Sequence, residues 1–443
     1  LPPCNYSPSP YNGPSLEEVL QTRQKYINPA VFLYYQNPIM IVEGYMQYLF
    51  DHTGKRYLDL IGGIVTISVG HRHPKVMEKI KQQLDKLQHA TTIYLHPNMG
   101  LLAKKLAQTT PEGLDVVYFV NSGSEANDLA ILMARLYTGN YDILAMQNAY
   151  HGAVTSVLGL TSHHTWKPPI PHQHGIHHVP CPDLYRNPFS GTDEERLLKS
   201  AQEIQNIIHY STCGKIAGLI AEPIHGVGGV TELHPTYLQK AYEIVRKHGG
   251  LCISDEVQTG FGRTGDHYWG FQNLNVTPDI ITLAKGLGNG TPVAAVITRK
   301  EIAQTLAKKI HFNTYGGNPV SMAAGLAVME VIEEENLQEN CRNLGKYFKE
   351  ELKKLQNKHP HIGDVRGKGL MLGVELVKNQ QTKEPATEEA KIIAEKTKDM
   401  ALLLGRGGLY GNVLRLKPPM CITKEDVDYA LAVLDKAFEE LKS

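Results

Sequence analysis

Residues 281–290 read ITLAKGLGNG, a run that places one lysine behind four mostly apolar residues and follows it with three glycines. The apolar half predicts a buried strand, and the glycines predict a turn. Burial at such a strand end would lower the pKa of Lys285 and make its amine a nucleophile that forms Schiff bases with aldehydes. The alternative is a surface lysine whose stem covers apolar neighbours. The lysine therefore indicates a site only if the other groups of that site occur elsewhere.

Three further motifs supply groups that such a site would need. Asp255 ends the apolar run LCISDE, about one strand and one crossover before Lys285. In VYFVNSGSEANDLA a strand leads through a glycine turn into a helix, so Gly123 and Ser124 lie where backbone N–H groups bind phosphate. NAYHG supplies the ring of Tyr150 for stacking on a flat cofactor. An aldehyde, a phosphate and a pyridine nitrogen that needs an acidic partner occur together in pyridoxal 5′-phosphate (PLP), which the motifs therefore predict.

The composition argues against other kinds of partner. Lys and Arg together number 45, as do Asp and Glu, so the formal net charge of the 443 residues is zero. This balance gives no electrostatic reason to expect nucleic acid or an anionic membrane surface as a partner. No apolar run approaches the roughly 20 residues of a membrane helix, so no membrane span is predicted. A small-molecule enzyme suits this balance, as many other kinds of protein do.

Cysteine and histidine patterns predict no metal site. The six cysteines, at positions 4, 181, 213, 252, 341 and 421, include no C-x-x-C pair, which indicates free thiols and a reducing compartment. The segment 163–178, HHTWKPPIPHQHGIHH, holds six histidines and could suggest a metal site. No carboxylate or cysteine lies at a recognised ligand spacing, and a Pro- and His-rich surface loop is the favoured interpretation.

The order of predicted elements indicates an α/β protein with two parts. From residue 115 onward apolar strands alternate with helices, which predicts a mostly parallel sheet covered on both faces. The segment 161–214 is the least regular part of this region. After residue 318, long helices and a strand pair near 362–377 predict a smaller α+β unit. We predict an N-terminal arm and small-domain part at 1–84, a large PLP-binding domain at 85–325 and a C-terminal small domain at 326–443.

The motifs together resemble the class III (omega-type) aminotransferases of PLP fold type I. The resemblance extends from about residue 30 to the C-terminus, and it is carried by NSGSEAN, AYHG, AEPIHGVGG, SDEVQTGFGRTG, PDIITLAKGLGNG, FNTYGGNP and RGKGLMLGVEL. It implies a mostly parallel, seven-stranded large domain and a small α+β domain built from both chain ends. It also implies a homodimer with active sites at its interface, with a homotetramer as the alternative.

The same resemblance implies roles for individual residues. Lys285 would hold PLP as a Schiff base and move protons, and Asp255 would pair with the pyridine nitrogen. Val257 would pack under the ring, and Gln258 would reach its 3′-oxygen. Thr314, in HFNTYGGNP, would contact the phosphate of the cofactor bound to the partner subunit.

Two further residues concern the substrate. Arg415, in VLRLKPP, lies in a predicted strand, and a fixed guanidinium suits the α-carboxylate of an amino acid. An exposed strand arginine is the alternative. By the resemblance, Glu222 of AEP pairs with this arginine and moves aside for some substrates.

Within the family, PPCNYSP, GIVTISVGHRHPKV and LLLGRGG resemble a mitochondrial branch that transfers the amino group of L-alanine to glyoxylate or pyruvate. That branch also accepts 3-aminoisobutyrate and methylated arginines. A neighbouring branch of phospholyases, acting on phosphoethanolamine or phosphohydroxylysine, shares segments similar to CPDLYRNPF, EPATEEA and LKPPMC and remains the alternative. A catalytically inactive relative is not expected, because Lys285, Asp255 and Gln258 are all present. No transit peptide is predicted in this chain, so a mitochondrial location rests on the resemblance alone.

Overall fold

The computed structural model describes residues 1–441, which contain both α-helices and β-strands. The helices are α1 Leu16–Tyr26, α2 Gly62–Val65, α3 Pro74–Leu84, α4 Pro97–Ala107, α5 Gly123–Thr138, α6 Thr155–Leu158, α7 Asp193–Ser211, α8 Pro235–Lys247, α9 Lys300–Leu306, α10 Pro319–Glu334, α11 Leu337–Lys358, α12 Thr387–Asp399 and α13 Lys424–Glu439. The strands are β1 Ile41–Tyr45, β2 Tyr48–Asp51, β3 Arg56–Asp59, β4 Val116–Val120, β5 Ile143–Met146, β6 Ile176–Val179, β7 Gly218–Ala221, β8 Ile224–His225, β9 Thr231–Glu232, β10 Leu251–Asp255, β11 Ile280–Leu283, β12 Ala294–Thr298, β13 Ile362–Lys368, β14 Met371–Leu376, β15 Leu402–Leu403, β16 Gly405–Gly407 and β17 Val413–Leu416. The short element α2 is a turn rather than a helix, because Gly63 and Ile64 have φ of 59° and 62°.

A seven-stranded sheet forms the centre, in the order β4-β12-β11-β10-β7-β5-β6. Strand β12 is antiparallel to both of its neighbours, and the remaining pairs are parallel. Strands β5, β7, β10, β11 and β12 are buried along their whole length. Burial on both faces explains why these strands are continuously apolar in sequence. The prediction of a mostly parallel, seven-stranded sheet is confirmed.

Helices cover both faces of this sheet. Ile143 and Ala145 of β5 pack in the same buried cluster as residues of α5 and α9. Leu144 and Met146, which point the other way because strand side chains alternate, pack in a second cluster with residues of α7 and α8. The sheet is thus the middle layer of three.

Chain direction and register bring the ends of neighbouring strands together. In the pairing of β10 with β11, Asp255 lies opposite Thr282, and Lys285 follows three residues later in the chain. Strands β4, β5 and β7 run in the same direction and end on the same side. The carboxyl edge of the sheet, where ligands bind in open α/β folds, therefore gathers residues from five strands.

Residues from both ends of the chain form a separate four-stranded sheet. Strand β3 pairs in parallel with β15, so the first 60 residues complete a four-stranded sheet, β1-β2-β3-β15, with residues from beyond position 400. A further four-stranded sheet has the order β13-β14-β17-β16. Helix α10 runs across the predicted boundary at residue 325. The division into 1–84, 85–325 and 326–443 stays a prediction.

The segment 161–214 is more regular than predicted. It contains β6, the edge strand of the central sheet, and the 19-residue helix α7. Thr192 and Glu195 form a capping box at the start of α7, a signal that was present in the sequence. The surface-loop interpretation fits only residues 164–175, because His163 is buried and His177 and His178 lie in β6.

Two findings concern other classes of function. Within residues 1–441, no group of three or more His, Cys, Asp or Glu side chains is arranged to hold a metal ion. No helix in the described part of the chain has the length and apolar character needed to cross a membrane.

Candidate active site

A cavity of about 420 Å³ lies at the carboxyl edge of the central sheet. Eighteen residues line it: Gly63, Ile64, Thr66, Ser122, Gly123, Ser124, Asn127, Tyr150, His151, Gly152, Trp166, Glu222, Val227, Asp255, Val257, Gln258, Lys285 and Arg415. All the predicted site residues except Thr314 are among them. Most come from the ends of β4, β5, β7, β10 and β11 and from the segments that follow them, whereas Arg415 comes from β17 of another sheet.

A second cavity, of about 500 Å³, lacks this combination of groups. Its two arginines, Arg186 and Arg366, both bind Glu375, with nitrogen–oxygen distances of 2.5 and 2.7 Å. Arg366 also binds Asp364, at 2.8 Å, so two carboxylates offset the two guanidinium charges. The smaller cavity is therefore the better candidate for a reaction centre.

Lys285 enters the cavity from a constrained backbone. It follows β11 directly after Ala284 and has a φ of 42°, which non-glycine residues seldom adopt. Burial lowers the pKa of Lys285 to about 8, against the opposing effect of the negative charges of Glu222 and Asp255. A substantial share of this amine is therefore neutral near physiological pH, as a nucleophile requires.

Asp255 is the best-ordered acid in the cavity. Its Oδ2 accepts a hydrogen bond from Asn127 Nδ2 at 2.8 Å and lies 2.8 Å from His151 Nδ1. Its Oδ1 accepts a bond from the backbone N–H of Val257 at 3.1 Å. Thr282 on β11 in turn donates to Asn127 Oδ1 at 2.7 Å. The carboxylate is thereby held in one orientation by groups from three elements.

The start of α5 forms the opposite side of the cavity. Ser122 caps this helix, its hydroxyl accepting from the backbone N–H of Glu125. Gly123 and Ser124 occupy the first turn, where N–H groups have no partner inside the helix and the helix dipole favours an anion. A Cβ added to Gly123 would lie 3.1 Å from Val257 Cγ1, so the glycine keeps the space above Val257 open.

The side chain of Glu222 is hydrogen-bonded to the backbone of Tyr150. Glu222 Oε1 accepts a bond from the N–H of Tyr150 at 3.0 Å, and Oε2 accepts one from the N–H of Gly226 at 2.8 Å. Burial raises the pKa of Glu222. The ring of Tyr150 packs edge-on against Trp166, with 5.1 Å between ring centres.

Arg415 is half-buried in the cavity wall, and the loss of hydration there lowers its pKa. Its Nη1 donates to Gly226 O at 3.3 Å, and its Nε has no hydrogen-bond partner. Among the ion pairs of residues 1–441, none joins Arg415 to Glu222, so the pairing expected from the resemblance is not formed here. The two Glu222 oxygens instead accept hydrogen bonds from backbone N–H groups.

Gln258 has a partner that the sequence prediction missed. Lys417 is 3% exposed, and its Nζ donates to Gln258 Oε1 at 3.0 Å and to Gly226 O at 3.1 Å. Since the amide oxygen of Gln258 faces Lys417, its NH₂ group is left to face the cavity. Lys417 could have been found by strand alternation, because it lies two residues after Arg415 and hence on the same face.

Among the lining residues that were not predicted, three have side chains that contact the predicted ones. Asn127 and His151 lie in the motifs NSGSEAN and AYHG, and their polar side chains beside a predicted acid were the available signal. Trp166 lies in the His-rich segment that was interpreted as a surface loop, and no sequence pattern placed it near Tyr150.

Thr314 is exposed and does not line this cavity. Its predicted contact is with a cofactor held by the partner subunit, and that contact stays a prediction.

The residues present fit PLP. Lys285 offers the amine for the aldehyde, Asp255 offers an ordered carboxylate for the pyridine nitrogen, and the first turn of α5 offers N–H groups for the phosphate. The open space above Val257 has room for a flat ring.

The sequence matches a family model described as "Aminotransferase class-III" over residues 34–438. It is 49% identical to "Alanine–glyoxylate aminotransferase 2 homolog 2, mitochondrial" of Arabidopsis thaliana, over 100% of this chain and 91% of that protein. It is 45% identical to "Alanine–glyoxylate aminotransferase 2, mitochondrial" of Homo sapiens, over 99% of this chain and 90% of that protein.

Solved structures of both kinds of enzyme are similar to this one. A phospholyase from Arthrobacter in complex with phosphoethanolamine is 33% identical, with a TM-score of 0.89 over 95% of this chain and 99% of that chain. An (S)-enantioselective omega-transaminase from Thermomicrobium roseum is 32% identical, with a TM-score of 0.89 over 96% of this chain and 98% of that chain. Because the two similarities are almost equal, the fold alone does not separate transamination from phosphate elimination.

Proposed function

The chain belongs to the class III aminotransferase family, and on that premise we propose that it transfers the amino group of L-alanine to glyoxylate. Pyruvate would be a second acceptor, and 3-aminoisobutyrate and methylated arginines would be further donors. The observation that carries this proposal is a lysine, an ordered aspartate and an arginine with free donors around one cavity. The relatives bearing the alanine–glyoxylate name support the choice of substrates, since each matches nearly the whole chain.

The enzyme is PLP-dependent, as class III aminotransferases are. When bound, PLP supplies an electron sink that makes bonds at the amino-bearing carbon of a substrate easier to break. We assign Lys285 to hold the cofactor and to carry protons, because its amine is buried and has a lowered pKa. Asp255 would keep the pyridine nitrogen protonated, with Asn127 and His151 fixing its orientation.

Four other residues would position the cofactor. Gly123 and Ser124 would bind its phosphate through backbone N–H groups. Val257 would support one face of the ring, and Tyr150 would cover the other. Gln258 would donate to the 3′-oxygen from its NH₂ group, the orientation that Lys417 imposes.

Arg415 would bind the substrate carboxylate. Its guanidinium lines the cavity and makes a single hydrogen bond with the described part of the protein, from Nη1 to Gly226 O, and a fixed guanidinium binds a carboxylate through two parallel hydrogen bonds. Glu222 lies in the same wall and would set the charge balance around Arg415 when a substrate lacks a carboxylate at that position.

We also propose a homodimer in which Thr314 reaches the cofactor site of the partner subunit. Ile93, Leu95 and Ile310 are each at least 72% exposed. The rings of His89 and Tyr315 lie 5.6 Å apart, so the two segments carrying these residues are neighbours. Exposed apolar residues of this size indicate an interface.

The assembly is tested by sedimentation. Leu95→Asp combined with Ile310→Asp should sediment as a monomer and lose activity, because a charge would be buried at the interface without a partner. Tyr210→Asp is the matched control, since Tyr210 is 88% exposed but lies on α7, away from these segments. An unmodified protein that sediments as a monomer while active would contradict the proposal.

A mitochondrial location is proposed from the names of the relatives. Fluorescence microscopy of the tagged full-length product in its own cells tests it, and a diffuse cytosolic signal would contradict it.

The proposed reaction is tested by the visible spectrum of the PLP-loaded protein through two additions. L-alanine should bleach the absorption band of the bound cofactor, and glyoxylate should then restore it. The Lys285→Ala protein is the control, because it should complete no such cycle.

A different outcome would favour the second candidate. If L-alanine and 3-aminoisobutyrate leave the band unchanged while phosphoethanolamine releases inorganic phosphate, the protein is a phospholyase. The similarity to the Arthrobacter structure is the observation that keeps this candidate open.

The lowered pKa of Lys285 predicts how PLP loading depends on pH. Below its pKa the group is an ammonium that cannot attack an aldehyde, so loading of the cofactor-free protein should speed up as pH rises. The half-maximal rate should fall near pH 8, because burial lowers the pKa to about 8 from the usual 10.5. Stopped-flow absorbance across pH 6–10 measures this, and a midpoint at the usual value would show that Lys285 is not desolvated.

A further inference from the structure

The side chain of Arg415 lies across the neighbouring strand β16. Strands β16 and β17 are antiparallel, with Gly405 opposite Arg415 and Gly407 opposite Val413. Arg415 leans toward Gly407, since a Cβ added to that glycine would lie 2.8 Å from both Cδ and Nε of the arginine. The same Cβ would lie 2.9 Å from Val227 O in the cavity wall. Such contacts are shorter than real Cβ atoms make, so a larger residue at 407 must displace a neighbour, and the flexible side chain of Arg415 moves more easily than the backbone of Val227.

Gly405 differs from Gly407 in this respect. A Cβ at Gly405 would lie 3.6 Å from Cβ and Nε of Arg415, an ordinary van der Waals distance. Neither glycine has a positive φ, so the backbone at both positions accepts alanine without strain. The two positions therefore form a matched pair in which only one side chain would move the arginine.

Few other contacts hold the guanidinium. Its hydrogen bond with the protein is the one from Nη1 to Gly226 O at 3.3 Å, and Nε has no partner. Within residues 1–441 no ion pair involves Arg415. The direction of the guanidinium is thus decided by the space above Gly407 more than by a partner charge.

We propose that Gly407 is a specificity-determining position that sets the direction of Arg415 and thereby the affinity for substrates carrying a carboxylate. This inference rests on the proposed binding of the substrate carboxylate by Arg415. A methyl group at 407 would displace Cδ and Nε and with them the guanidinium, so a carboxylate in the cavity would no longer meet the guanidinium in the geometry for two parallel bonds. Asp255 ends β10 and Lys285 follows β11, so these groups belong to the central sheet and would be unaffected.

The test compares Gly407→Ala, Gly405→Ala and Arg415→Met as PLP-loaded proteins. The first readout is the KM for L-alanine against kcat. The second does not depend on turnover: it is the dissociation constant of propionate, a carboxylate without an amino group, followed by the spectral change of the bound cofactor. Gly407→Ala should raise both constants by about tenfold or more, the loss expected for one charge-assisted hydrogen bond, with little change in kcat. Gly405→Ala should leave both near their original values.

The outcomes separate this inference from the proposed function. If Arg415→Met raises both constants but Gly407→Ala does not, Gly407 does not direct the arginine and the inference is wrong. If Arg415→Met itself changes neither constant, the carboxylate binds elsewhere and the assignment of Arg415 fails. Equal effects of the two glycine variants would show a general disturbance of β16 and would also overturn the inference. A similar thermal unfolding midpoint for both variants controls for loss of folding.

Discussion

Lys285→Ala should lower turnover of L-alanine with glyoxylate by on the order of 10⁴-fold, the upper end of what a positioned proton-transfer group contributes. The physical reason is that this amine is expected both to hold the cofactor and to move the proton at the reacting carbon. Its burial and lowered pKa suit both tasks. Pre-steady-state absorbance measures the half-reaction directly, and the visible spectrum reports whether PLP is still covalently held.

Lys300→Ala is the matched control, because Lys300 is exposed at the start of α9 and does not line the cavity. It should keep the activity and spectrum of the unmodified protein. Retention of turnover by Lys285→Ala would refute the assigned role. Loss of turnover with an unchanged spectrum would leave Lys285 a role in proton transfer but not in holding the cofactor.

Asp255→Asn should lower kcat by on the order of 10²–10³-fold, the range observed when one preorganised electrostatic contact is removed from an active site. The amide has the same shape but no negative charge, so it cannot stabilise a protonated pyridine nitrogen. The substitution also replaces the carboxylate whose Oδ2 accepts a hydrogen bond from Asn127 Nδ2 and lies beside His151 Nδ1. Steady-state kinetics and the absorption maximum of the bound cofactor are the measurements.

Glu256→Gln separates catalysis from stability. Glu256 is the next residue but points away from the cavity, accepting bonds from the N–H groups of Gly270 and Phe271 and from the hydroxyl of Thr259. Its variant should lower the thermal unfolding midpoint by weakening buried hydrogen bonds, while kcat stays close to the original. If Glu256→Gln lost as much kcat as Asp255→Asn, the effect of Asp255 would be structural.

The sequence alone predicted the site residues that lie at or just after the ends of buried strands. Lys285, Asp255, Gly123 and Tyr150 each follow a buried apolar run, and a parallel sheet brings such ends together at one edge. The order of these groups along the chain was enough to identify the cofactor before any contact was known.

Contacts between distant elements could not be predicted. Strand alternation indicates the face on which Lys417 lies, but its contact with Gln258 depends on how the sheet that contains β17 packs against the central sheet. The approach of Gly407 to Arg415 depends on the pairing register of β16 with β17. The hydrogen bonds that Glu222 accepts from the backbone N–H groups of Tyr150 and Gly226 also join separate loops. Helix α7 was missed for a different reason. Its capping box is present in the sequence, but the helix follows a Pro- and His-rich segment with no regular pattern.

The parallel pairing of β3 with β15 has a consequence for how the protein is made. Because β15 lies at Leu402–Leu403, the sheet begun by the first 60 residues gains its last strand only when nearly the whole chain has left the ribosome. Loop closure over such a separation is slow, and until it occurs the apolar strands β2 and β3 have an unpaired edge. The nascent chain is therefore most exposed to aggregation, and most in need of chaperones, during the synthesis of its central domain.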